Sequence, residues 1–138
     1  MKKVEIKIYI IGFLALLIGV FIYILARPDT YISKMFFSIV SNDLYILKYD
    51  NAFIKIAKIY LADFLWALSL VCFLYIVYKP FEKRKLMSIL CTGIFGTLWE
   101  AMQFLHFMRG TGDYVDILVY WSAGFLIILL TREEGKAK

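Results

Sequence analysis

The residues of this sequence that could do chemistry are few: Asp63, Glu100, Gln103, His106, Arg109, Asp113, Asp116 and Tyr120. Clustered carboxylates can exchange protons or hold a cation, and an arginine beside them can close a bidentate ion pair. Asp63, Glu100 and Asp116 each interrupt a long apolar run. An ionisable group at mid-bilayer costs about 2.5–3.5 kcal/mol even on the gentler insertion scales, so something must compensate for each. No nucleophile elbow and no H-E-x-x-H helix accompanies them. The single histidine, His106, falls about 120° from Glu100 at helical spacing, so a metal site here would be mainly carboxylate. No metal site and no cofactor is expected.

The elements that must position these residues are apolar. Of 138 residues, 62% are hydrophobic and 18% aromatic, against roughly 45–50% apolar in soluble domains. Such a composition excludes disordered, collagenous and disulfide-stapled classes and points to one integral membrane domain. Four blocks carry it: residues 8–26, 59–78, 86–108 and 114–131, which are 19, 20, 23 and 18 residues long. A spanning helix needs about 17–25 apolar residues. The predicted fold is therefore an all-α bundle of four transmembrane helices. The first block is too long for a secretory signal core and lacks a small-residue cleavage site at Ile24, so it reads as a retained span.

Basic residues set the orientation. Ten of the sixteen lie in three short segments: Lys2, Lys3 and Lys7, then Lys79, Lys83, Arg84 and Lys85, then Arg132, Lys136 and Lys138. The positive-inside rule puts these segments, and with them both termini, in the cytoplasm. The net charge of +5 needs no nucleic acid to explain it. The segment between spans 1 and 2 then lies outside. Within it, Tyr31–Val40 suits an amphipathic helix in the interface, and Asp50-Asn51 suits the start of a helix running through Lys55 and Lys58 into the second span. Cys72 and Cys91 each lie six residues from the inner ends of their helices, so a hairpin of spans 2 and 3 could bring them near each other. They are expected to stay reduced, as small hydrophobes.

Helical spacing of 100° per residue gathers the polar groups. Gly93, Gly96, Glu100, Gln103 and Phe107 fall in a stripe about 80° wide, and Asp113, Asp116, Tyr120 and Gly124 share a face on the last helix. Small residues let helices approach, so these two polar faces should meet. Glu100 lies about 13 Å below Arg109 and Asp63 about 7 Å below Lys58 at 1.5 Å per residue. Asp63, Glu100, Gln103, Arg109 and Asp116 can then line one cavity opening outward, with Arg109 paired to Asp113 or Asp116.

The strings Glu100-Ala-Met-Gln103 and Arg109-Gly-Thr-Gly-Asp113, followed by Asp116 and a small-residue helix with Gly124, resemble the signature of VanZ-like membrane proteins. Asp63-Phe-Leu-Trp66 is similar to the earlier acidic-aromatic element of that family. The resemblance covers residues 60–125. It implies a four-span bacterial inner-membrane protein associated with tolerance of teicoplanin-type glycopeptide antibiotics, with Trp66 beside the polar cavity.

Three functions fit these residues. One is a binding protein whose partner is membrane lipid, a lipid-linked cell-wall precursor or a lipoglycopeptide. Another is an outer-leaflet enzyme using Glu100 or Asp116 as acid and base, or using them together with Asp63 as metal ligands. The third is a small proton-coupled exporter working as a homodimer, although the two halves show none of the self-similarity that many transporters carry. Enzymatic activity is left undecided by the sequence.

Overall fold

The computed structural model describes residues 3–26, 35, 52–108 and 112–132, with backbone alone at 25–26 and 52–59. Among the described residues four helices carry the fold: α1 (Lys3–Ala26), α2 (Ala52–Val77), α3 (Arg84–Phe104) and α4 (Tyr114–Leu130). The described residues are all-α, with no strand among them. The amphipathic helix expected over Tyr31–Val40 falls outside the described residues apart from Met35. Two stretches, Lys3–Ile24 and Tyr60–Val77, are long and apolar enough to cross a membrane, and α4 is a shorter apolar helix.

Helix α2 is the central post and packs on each of the other three. Its contact with α1 follows from spacing: Ile8, Gly12, Ala15 and Gly19 recur on one face of α1, and Ile8, Ala15, Ala67, Val71 and Cys72 are buried there. A Cβ on Gly12 would stand 2.7 Å from that of Cys72, so the two backbones meet at a distance only glycine allows. Cys72 thus faces α1, while Cys91 shares a 3.3 Å hydrogen bond with the Tyr78 hydroxyl; both thiols are free.

The interior mixes small and hydroxyl residues, Ala62, Ala67, Ser88, Thr92, Gly93, Gly96, Ala123 and Gly124, with larger apolar ones, Ile8, Leu68, Val71, Tyr75, Ile89 and Ile127. Large apolar side chains point outward on every helix, among them Phe13, Phe73, Phe95 and Leu118. Apolar surface this extensive is uncommon on a water-soluble bundle. The hydroxyls of Ser88, Thr97, Ser122 and Thr131 donate to backbone carbonyls three or four residues earlier, which satisfies them without water.

One end of the bundle is tied by charge. Helix α1 is described from Lys3, five residues ahead of the apolar run, and Glu5 in this first turn has charged partners. The Glu5 carboxylate, 3% exposed, accepts from Lys79 Nζ at 2.9 Å and from Arg84 Nη1 at 3.3 Å. Arg84 also lies 4.4 Å from the centre of the buried Tyr75 ring. Lys85 Nζ donates to the Thr131 carbonyl at 3.3 Å, placing a cation on the negative end of α4. The start of α1, the 78–83 turn and the end of α4 therefore share this basic end.

Candidate functional site

At the opposite end, α3 stops at Phe104 through a left-handed residue. His106 has φ 60°, its N–H donates to Gln103 O and the Phe107 N–H donates to Met102 O, both at 3.0 Å. These two bonds form a Schellman motif with histidine where glycine is the usual choice. The His106 ring helps by donating Nδ1–H to Phe104 O at 2.9 Å. This turn breaks the helical register before Phe107, which is 75% exposed and does not extend the Gly93–Gln103 stripe as the periodicity suggests.

A Cβ on Gly112 would press on the Phe104 ring at 2.6 Å. Asp113 then caps α4: its Oδ1 accepts from the Val115 N–H at 2.8 Å. Its Oδ2 accepts from the Tyr60 hydroxyl at 2.8 Å, and its own backbone N–H donates to Glu100 Oε2 at 3.0 Å. Three helices are joined in this way, with Tyr60 of α2 and Glu100 of α3 both bound to the first residue of the α4 cap. Glu100 is 2% exposed. Three carboxylates, those of Glu100, Asp113 and Asp116, stand at the positive N-terminus of α4, where the helix dipole favours negative charge.

The glycine faces meet as the spacing suggests. Gly96 receives the Tyr120 ring and Gly93 receives the Trp121 ring, whose Nε1 donates to Thr97 Oγ1 at 3.3 Å. Glu100, Asp113, Asp116 and Tyr120 thus lie along one α3–α4 seam. Asp63 and Asp116 are close enough to act electrostatically on the Tyr60 hydroxyl. Gln103 is half-buried in the last turn of α3. Trp66 lies by Gly19 of α1, 42% exposed. Arg109 and its expected pairing lie outside the described residues. Among the described residues, no group of three or more His, Cys, Asp or Glu is disposed to hold a metal ion.

Two residues escape a reading that ranks charges by depth. Tyr60, three residues before Asp63 on the same side of α2, is the aromatic partner of Asp113. Glu5, hidden among three lysines in sequence, is the buried anion of the basic end. Comparison of the chain with protein-family models, curated proteins and solved structures finds no match in any of the three.

Chemically, the acidic end gathers carboxylate oxygens and a tyrosine hydroxyl that satisfy one another across α2, α3 and α4.

Proposed function

We propose that this chain is a four-span, VanZ-like protein of the bacterial cytoplasmic membrane, with both termini cytoplasmic. Its acidic outer end engages an envelope component, such as a lipid-linked cell-wall precursor, and thereby raises tolerance of teicoplanin-type glycopeptides. The observation that carries this reading is the convergence of Tyr60, Glu100 and Asp113 at the end remote from the Glu5 clamp. A buried carboxylate so placed is costly to keep and marks the end where a polar ligand would be met. The outward apolar side chains on α3 and α4, among them Phe95, Leu98, Leu118 and Leu129, support counting these helices as spans too. The separation of a basic end from an acidic end supports the orientation.

Growth in teicoplanin tests the reading. Glutamine at position 100 can still accept from the Asp113 amide, so Glu100→Gln should express normally yet lose the tolerance that the intact chain confers. Asp116→Asn should lose it in part. Full tolerance in both variants would reduce these carboxylates to helix staples, and no tolerance from the intact chain would end the antibiotic reading.

A further inference from the structure

We infer that the basic end is a docking surface for anionic phospholipid headgroups, with Lys3 and Lys7 of α1 at its centre. The inference rests on the membrane reading above but not on the acidic end. At 100° per residue, Lys3, Lys7, Ile10, Leu14 and Phe21 fall in one stripe about 60° wide, and all five are exposed. Two cations therefore stand directly above an apolar wall. That pairing matches a lipid, with phosphate at the lysines and acyl chain along Ile10 and Leu14, and it distinguishes this surface from one for a soluble polyanion.

The clamp explains why these lysines are available. Glu5 lies two residues from each of them and points about 160° away across the helix, into Lys79 and Arg84. The one carboxylate in this turn of α1 is thus committed to the interior, and its neighbours keep their charge for the surface. Lys83 and Arg132 are also exposed at this end. Charge complementarity with an anionic leaflet follows, since seven described cations here face two carboxylates, Glu5 and Glu82.

The full chain, purified in a neutral detergent, is offered phosphatidylglycerol and phosphatidylcholine in equal amounts, and the lipid it retains is counted by native mass spectrometry. A preference for phosphatidylglycerol on the order of tenfold is expected from two surface cations. It should persist in excess inorganic phosphate, which separates a lipid site from a phosphate site. The Lys3→Gln/Lys7→Gln variant keeps the clamp intact and should fall to the phosphatidylcholine level with an unchanged melting temperature. Equal retention of both lipids by the intact chain, or an undiminished preference in the variant, overturns the proposal while leaving the membrane reading in place. Retention of neither lipid overturns both.

Discussion

Replacing Lys79 by alanine and Arg84 by leucine together should cost about 3–5 kcal/mol of folding stability, the usual penalty for stranding a buried charge. The charge stranded is Glu5, whose side chain is 3% exposed and whose two partners lie at 2.9 and 3.3 Å. The two cations are unequal. Lys79 is 52% exposed, so solvent screens its bond and Lys79→Ala alone should cost no more than about 1 kcal/mol. Arg84 is 15% exposed and covers the Tyr75 ring, so its removal takes away an ion pair and a cation–π contact together. The decisive step is a third change. Adding Glu5→Leu removes the stranded charge and should return most of the lost stability in denaturant unfolding from mixed micelles. A triple variant as unstable as the double one would show that the residues act through packing and not through charge.

The second large effect lies on the α3–α4 seam. Gly93→Ala places a methyl group 2.6 Å from the Trp121 ring, and Gly96→Ala places one against the Tyr120 ring and its Cβ. Neither ring has an easy escape, since the Trp121 indole is tethered to Thr97 and the Tyr120 Cβ is fixed to the α4 backbone. Each substitution should cost about 1–3 kcal/mol through overpacking, more than the roughly 1 kcal/mol that alanine gains over glycine in a helix. Gly124→Ala is the internal control. A Cβ there meets Ile89 at 3.5 Å, an ordinary contact, so the propensity gain should survive and the variant should be neutral or more stable. Destabilisation of all three alike would place the glycines' role in the backbone, not in the space they leave.

These two regions differ in how well they can be read from sequence. Gly93, Gly96 and Glu100 recur at helical spacing, and so do Asp116, Tyr120 and Gly124, so the α3–α4 seam follows from periodicity and the need of polar groups for company. The clamp does not follow, because pairing Glu5 with Lys79 and Arg84 needs the register of α1 on α2, set by the close approach of Gly12 to Cys72. Phe107 departs from its stripe because the left-handed His106, two residues past Phe104, closes the end of the helix, and histidine gives none of the warning that glycine would. Tyr60 is hidden for another reason: spacing within α2 says nothing of α4, and only the placement of the α4 cap reveals its carboxylate partner.

The four-span orientation, with the basic end inside and the acidic end outside, is tested most directly by cysteine labelling in intact cells. In a Cys72→Ala/Cys91→Ala background, single cysteines are placed at Asn42 and Lys136 and treated with a membrane-impermeant thiol reagent. The position-42 cysteine should react in intact cells, and the position-136 cysteine only after permeabilisation. Reaction of both from the same side of intact cells would contradict the orientation, and with it an outward-facing Tyr60–Asp113–Glu100 site.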